Sequence, residues 1–424
     1  MPNADRFPHC FLVVAHSARL LAQSAARAGH PVCALDLFND ADTGRFALAS
    51  EAVDARVGKI PGFDRDDLLR RAARLCPPAR CRGLVVGAGF EDDTETLALL
   101  AEGRKLFGNP PELVARLKDP AAFFGLLDRL AIAHPQTVLA RPEVRRGWLY
   151  KRRGATGGAH VVDAAAADCD PAGAEGYFQR RVSGRNLSVL FLADGRRVQV
   201  VGISRQLTRG AGSGRYAYAG AVGPIDVPAV VCRTVREALQ ALVAHTGLVG
   251  CNSVDFLLDG ERPIVLEINP RPSATMDLYD DDWPEGLFDA HLKACCGTLP
   301  AQPPALRTEP VRAHAIVYAG AGLQIGADTA FPVWCSDIPK PGSRLAIDAP
   351  VCTVHANGSD VSAALGQLRR RRRRTELGLK TPLDSEETRN ECSNSAPKRE
   401  SQCGPDGRIA AGTPQRASAG RAPA

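Results

Sequence analysis

No stretch of this chain stays apolar for the roughly 18 consecutive residues of a membrane helix, so no membrane span is expected. The N-terminus lacks a basic segment feeding a long apolar run, so a signal peptide is not expected. The 13 cysteines are scattered, and neither Cys76/Cys81 nor the adjacent Cys295/Cys296 makes a zinc spacing. An odd count without regular spacing speaks against a disulfide framework and suits reduced thiols in a cytoplasm. Cys10, Cys33, Cys232 and Cys251 lie in or near apolar runs and read as core residues. Surplus charge is also missing. The formal net charge of +6 equals the unbroken run Arg369 to Arg374, and the remaining chain is neutral. The body therefore offers no general argument for a nucleic-acid partner.

What is present is enough apolar material, 45% of 424 residues, to bury the cores of two to four domains. Phe11 to Ala15, Pro31 to Leu37 and Gly83 to Val86 read as buried strands. Arg19 to Ala28 carries apolar residues at helical spacing, and Gly29 can end that helix. Alternation of this kind predicts a parallel sheet in an α/β domain, with ligands at the carboxyl ends of its strands. His16, Ser17, Asp36, Gly87 and Gly89 fall there. Asp36 does not complete a dinucleotide site, because the first loop, Ala15-His16-Ser17-Ala18, has no glycine.

The most informative segment is Glu267-Ile-Asn269-Pro-Arg271. It follows the apolar run Pro263 to Leu266, and Asp255 lies twelve residues before Glu267. Asp259-Gly260-Glu261-Arg262 reads as the turn of a hairpin that brings Asp255 close to Glu267 and Asn269. Residues two apart in a strand leave the same face, so Glu267 and Asn269 share one. Two carboxylates and an amide oxygen make a hard oxygen site suited to Mg²⁺ with nucleotide phosphates. The plain alternative is an acidic hairpin with a polar rim.

Upstream, Trp148 to Lys151 reads as a strand ending in lysine, and Gly154-Ala-Thr-Gly157-Gly158-Ala-His160 follows. A lysine beside such a loop can neutralise phosphates while backbone N–H groups close over them, although the loop is not a Walker A sequence. His160 faces either phosphate or the protein interior. Residues 93–133 read as helical with a break at Gly108 to Pro111, and Lys118-Asp119-Pro120 opens a helix. Gly202 to Tyr218 is basic and glycine-rich, and Arg205 and Arg215 are either phosphate and acceptor contacts or parts of an exposed linker.

Taken together, these segments resemble the ATP-grasp superfamily of ligases over roughly residues 5–300, most specifically from Val254 to Pro272. The resemblance implies metal ligands at Asp255, Glu267 and Asn269. It implies that Arg271 holds phosphate or the acyl intermediate. Lys118 and Lys151 become nucleotide-contacting lysines, and Gly154, Gly157 and Gly158 a lid. Gly176 to Val189 resembles the adenine-reading hinge, with Gln179, Arg180, Val182 and Asn186 as cofactor-binding candidates. Arg180 and Asn186 stand where the superfamily usually has glutamate, which puts ribose binding in doubt. His16, Ser17, Gly87 and Gly89 become candidate substrate contacts. ATP and Mg²⁺, with Mn²⁺ as the alternative ion, are the implied cofactors. The chain also resembles predicted ATP-dependent carboligases related to biotin carboxylase, whose members occur with methanopterin or methylofuran pathways.

The expected fold is therefore α/β, becoming α+β in the nucleotide-binding part. The expected domains are a pre-ATP-grasp domain at 1–115, an ATP-grasp domain at 116–300 with its lid around 145–185, and a small β-rich domain at 301–375. Ala313 to Ala319 and Arg344 to Asp348 read as strands of that last domain, and Asp360 to Arg374 as a helix. Residues 376–424 read as a disordered tail. The expected activity is an ADP-forming carboxylate–amine ligase acting through an acyl phosphate, with amino-acid or glutamyl ligation in one-carbon cofactor assembly as the narrower reading. Biotin-carboxylase-like carboxylation is one alternative, although no Met-Lys biotin-attachment pair is present. A nucleotide-binding protein without turnover is the other. Small-molecule carboxylates and amines are the expected partners, without membrane or specific nucleic acid. A homo-oligomer is compatible with all of this.

Overall fold

A computed structural model describes residues 9–57, 62–165, 176–210, 214–300 and 309–379. The N-terminal strands Cys10–Val14, Val32–Asp36, Ala49–Ala52, Cys81–Val86 and Leu106–Phe107 form one parallel sheet. Cys10–Val14 lies in the middle of that sheet and is buried on both faces, as its continuous apolar run requires. Helix Arg19–Arg27 follows the first strand and ends at Gly29, whose φ of +71° is a left-handed cap. Asp36 accepts the backbone N–H of Ala18 at 3.0 Å and of Phe38 at 3.0 Å, so it ties two strand ends together.

The region expected to be helical before residue 133 divides into Thr94–Ala101, Pro111–Lys118 and Pro120–Arg129. Lys118 is the last residue of the middle helix rather than the start of the next. The start of the next is capped by Asp119, which accepts from Ala122 N–H, with Pro120 at the first helical position.

A small antiparallel sheet joins Thr137–Val138, Gly176–Arg180, Trp148–Arg152 and Val162–Asp163 in that order. The large sheet is antiparallel and eight-stranded. It runs from Arg262–Asn269 through Val249–Asp259, Arg185–Asp194, Val198–Thr208 and Tyr218–Gly223. It then continues into Val311–Tyr318, Pro350–Gly358 and Cys335–Ser336. The C-terminal strands thus extend the same sheet. Helix Ala229–Thr246 packs Val235, Leu239 and Leu242 into the core under it.

Three local expectations are corrected. Arg344 to Asp348 is a strand only at Arg344–Leu345, paired with Leu323–Gln324, because Asp348 takes a positive φ of 66° that ends extended structure. Cys232 is exposed on its helix, whereas Cys10, Cys33 and Cys251 are buried. The terminal helix runs over Val361–Gly378, beyond Arg374 and into the expected tail, and the rest of that tail lies outside the described residues. No helix among the described residues is long and apolar enough to cross a membrane.

Candidate active site

The hairpin Val249–Asp259/Arg262–Asn269 turns through Gly260, whose φ of +60° meets the demand of a two-residue turn. Its register sets Asp255 directly opposite Glu267 and Ser253 opposite Asn269. Asp255 and Asn269 are 9% and 6% exposed, and Glu267 is half-buried. Burial and the neighbouring Glu267 carboxylate both push the Asp255 carboxyl up. Burial acts the same way on Glu267, but Lys118, Lys151 and His160 outweigh it and hold Glu267 down. Two carboxylates this close cannot both ionise without a cation between or beside them. Asp255 Oδ1 is buried and has no hydrogen-bond partner.

That orphaned oxygen is the direct sign that the site suits a hard cation. Asp255 and Glu267 supply carboxylate oxygens, and Asn269 an amide oxygen, the donor types Mg²⁺ takes. No group of three or more His, Cys, Asp or Glu that could hold a metal occurs among the described residues, so the donor set is two carboxylates and the amide. Asn269 Oδ1 accepts from Lys118 Nζ at 3.0 Å, while its Nδ2 stands 3.5 Å from Asp255 Oδ2.

Lys151, from the small sheet, is 7% exposed. Burial lowers its ammonium pKa, Glu267 and Asp255 counter that, and Lys118 adds to the lowering. His160 is pushed down to about 4 by burial, against the pull of Glu267, and its Nδ1 is buried without a partner. It is therefore neutral at pH 7. The glycine loop folds back onto the body. Gly157 O accepts Tyr218 N–H at 2.8 Å, and a Cβ at Gly158 would lie 2.2 Å from Tyr216 O. At Gly154 a Cβ would lie 2.6 Å from Asp92 Cα.

Arg271 leaves the hairpin end and donates from Nε to Glu91 Oε1 at 2.6 Å. Glu91 is buried, and its other oxygen accepts the N–H groups of Gly89 and Phe90. Burial pushes its carboxyl up, but Arg271 and Lys118 hold it down at about 2. Glu91 is not among the residues that the sequence singles out. Its signal was a carboxylate in a glycine-bearing loop after a parallel strand.

Asp255, Glu267, Asn269, Arg271, Gly157 and Gly158 line one cavity of about 440 Å³, whose wall does not include Lys151. His16, Ser17 and Gly87 line it as well. Gly89 does not; a Cβ there would lie 2.6 Å from the Phe63 ring, so this position packs two loops together. A smaller space of about 30 Å³ lies among Lys118, Gly154, His160, Tyr177 and Glu267.

The other candidates stand apart. Arg205 lies on strand Val198–Thr208, whose alternation turns Gln206 and Thr208 to the cavity and leaves Arg205 out of its wall. Arg215 is exposed, with its guanidinium 4.9 Å from the Tyr216 ring centre. Arg180 is exposed over Trp148 at 5.6 Å. Gln179 is buried and donates to Thr137 Oγ1 at 3.2 Å, a contact within the small sheet. Val182 and Asn186 are half-buried and line neither space.

A parallel-sheet domain, a lysine-bearing small sheet and a carboxylate hairpin on a large antiparallel sheet define a nucleotide-binding α/β fold. Residues 121–275 match the ATP-grasp domain family. The large chain of carbamoyl phosphate synthase from Thermus thermophilus is 30% identical over 196 residues, covering 41% of this chain and 19% of that relative. The chain thus spans about a fifth of the curated relatives it matches. Two solved structures share the fold over 86% of the chain. N5-carboxyaminoimidazole ribonucleotide synthetase from Thermotoga maritima superposes with a TM-score of 0.61, at 16% identity and 98% coverage of its length. The biotin carboxylase domain of Hydrogenobacter thermophilus 2-oxoglutarate carboxylase, in complex with MgADP and bicarbonate, does so with 0.65, at 12% identity and 90% coverage.

Proposed function

We propose that this protein is an ATP-dependent, ADP-forming ligase that joins a carboxylate to an amine. The observation that carries the reading is the facing Asp255–Glu267 pair, with one buried oxygen of Asp255 unpartnered and Lys118 and Lys151 beside it. When bound there, Mg²⁺ supplies charge neutralisation for the phosphates. Asp255, Glu267 and Asn269 hold it. Lys151 and Lys118 add fixed positive charge where charge develops on phosphoryl oxygens.

In the first step a carboxylate oxygen of the substrate forms a bond to the γ-phosphorus of ATP. The bond from that phosphorus to the ADP oxygen breaks, leaving an acyl phosphate and ADP. In the second step the amine nitrogen attacks the acyl carbon, phosphate leaves, and the nitrogen loses a proton. Arg271, held by Glu91, lies in the cavity wall where it can bind the acyl phosphate. The loop Gly154 to Gly158 covers the site and protects that intermediate from water. The narrower reading, amino-acid or glutamyl ligation in one-carbon cofactor assembly, rests on the resemblance to carboligases found with those pathways.

Carboxylation is the second reading, favoured by likeness over 86% of the chain to a structure in complex with bicarbonate. The test is Mg²⁺-dependent release of ADP across amino acids, tyramine-like and furan amines, pterins and bicarbonate, with mass detection of products, in wild type and Glu267→Gln. Release stimulated by a carboxylate and amine together, and abolished in the variant, supports the ligase. Release that needs bicarbonate favours carboxylation. Tight ATP binding with no ADP from any combination counts against both.

A further inference from the structure

The cavity has a second end that the phosphate chemistry does not use. There Arg19, 4% exposed, donates to Asp337 Oδ1 at 3.1 Å and to Asp277 Oδ2 at 3.3 Å. Asp337 lies in the polar loop that follows strand Cys335–Ser336. That loop is anchored by Asp42, which accepts the N–H groups of Asp337 and Ile338 at 2.8 and 2.9 Å. One guanidinium thus serves two carboxylates. A third carboxylate, Asp40, is 6% exposed in the same cavity wall. No hydrogen bond or ion pair joins its carboxyl group to another described residue, and burial, with repulsion from Asp337, Asp36 and Asp42, pushes it up to about 8 against the attraction of Arg19.

A second observation concerns His314, which feels Asp277, Arg19 and Asp337. It is 3% exposed and lines the same cavity. Its Nε2 pairs with Tyr218 OH at 2.6 Å, but its Nδ1 is buried with no partner. Burial pushes the ring down to about 4, so it is neutral and adds no positive charge. His355 stands behind, with Nδ1 3.7 Å from Asp277. Three carboxyl groups share one guanidinium beside an orphaned ring nitrogen, a wall whose polar atoms an entering cation would satisfy.

We propose that this end of the cavity binds an alkylammonium group of the substrate, with Asp40 as its main acceptor and Asp277, Asp337 and His314 around it. The held nitrogen is not the one acylated, because an ammonium has no lone pair to attack with. It anchors a molecule whose reacting end lies at the Asp255–Glu267 hairpin. An anionic group at this end is disfavoured by the same carboxylates. The inference rests on the ligase reading for the position of the reacting end. The ammonium group belongs either to the amine, which is then a diamine, or to the carboxylate, which is then an amino acid.

The experiment is calorimetric titration of the full chain, at low salt and without nucleotide, with three five-carbon probes: cadaverine, δ-aminovalerate and glutarate. The expected result is that at least one ammonium probe binds below about 10 mM, and that glutarate does not. Cadaverine binding alone points to a diamine, and δ-aminovalerate alone to an amino acid. Asp40→Asn weakens the bound probe at least about tenfold, since a buried charge partner is lost. Should that variant fail to melt cooperatively, displacement of the probe from wild type by methylammonium but not by acetate reads the same preference. Absence of binding by both ammonium probes, equal binding of glutarate, or unchanged affinity in a folded Asp40→Asn overturns the proposal. A protein that binds ammonium probes yet releases no ADP keeps this site and loses the ligase reading. One that releases ADP with no ammonium preference loses only this site.

Discussion

Arg271 and Glu91 form an ion pair across 2.6 Å, and this pair joins the end of the carboxylate hairpin to the loop that follows strand Cys81–Val86. The two residues are 180 apart in the chain. Their side chains are 12% and 4% exposed, so the pair is nearly dry. The guanidinium is thereby aimed at the cavity by a carboxylate that is itself held by two backbone N–H groups.

Removing Arg271 leaves that carboxylate buried without its cation. Arg271→Met is expected to cost about 3–5 kcal/mol by denaturant unfolding at pH 7. The acid limb of stability tests the same pair. Glu91 is held below its ordinary 4.5, at about 2, so its contribution is fully present above 4.5 and is lost as pH falls toward 2. Glu91→Gln is expected to flatten the stability profile across that window, with a steeper wild-type profile as the contrast.

The Asp255 carboxyl behaves in the opposite sense. Its pKa is raised above 3.8, so ionising it costs the folded state stability progressively as pH rises above that value. Asp255→Asn is expected to melt at or above the wild-type temperature at pH 8 in chelator, yet to lose at least about 100-fold in Mg²⁺-dependent ADP formation. A variant that melts lower and keeps its activity contradicts the assignment.

Two neighbouring glycines separate backbone strain from steric contact. Gly157 and Gly158 have φ of +71° and +73°, but a Cβ at Gly157 meets nothing within 4 Å, whereas one at Gly158 meets Tyr216 O at 2.2 Å. Gly157→Ala is expected to cost about 1 kcal/mol. Gly158→Ala is expected to cost more and to lower kcat, because the loop must lift from Tyr216. Thermal melts and turnover on the two variants check the difference.

Arg180 lies in the segment that resembles the adenine-reading hinge, yet its side chain is exposed over Trp148. Arg180→Glu, which places there the residue type the superfamily usually has, is expected to change the Kd for ATP by less than about threefold, as exposed charges are worth little. Equilibrium titration with a fluorescent ATP analogue measures it.

The sequence alone determined the parts whose physics is local. Continuous apolar runs specify buried parallel strands, and Asp119-Pro120 specifies a helix start. Asp259-Gly260-Glu261-Arg262 specifies a turn, but the register of that turn alone would set Asp255 against Leu266, and a bulge between Asp255 and Phe256 shifts it to Glu267. The two-residue period then puts Asn269 at the same rim. Tertiary structure decided what depends on distant segments meeting. Glu91 reaches Arg271, Lys118 reaches Asn269, and Asp337 reaches Arg19 across more than 300 positions. The same holds for which basic residues face the cavity. In sequence Arg205 and Arg215 stand open between cavity contacts and an exposed linker, and strand alternation leaves Arg205 out of the wall while solvent exposure claims Arg215. Spacing along a chain encodes local geometry, whereas the pairing of charges is settled only when packing removes water from between them.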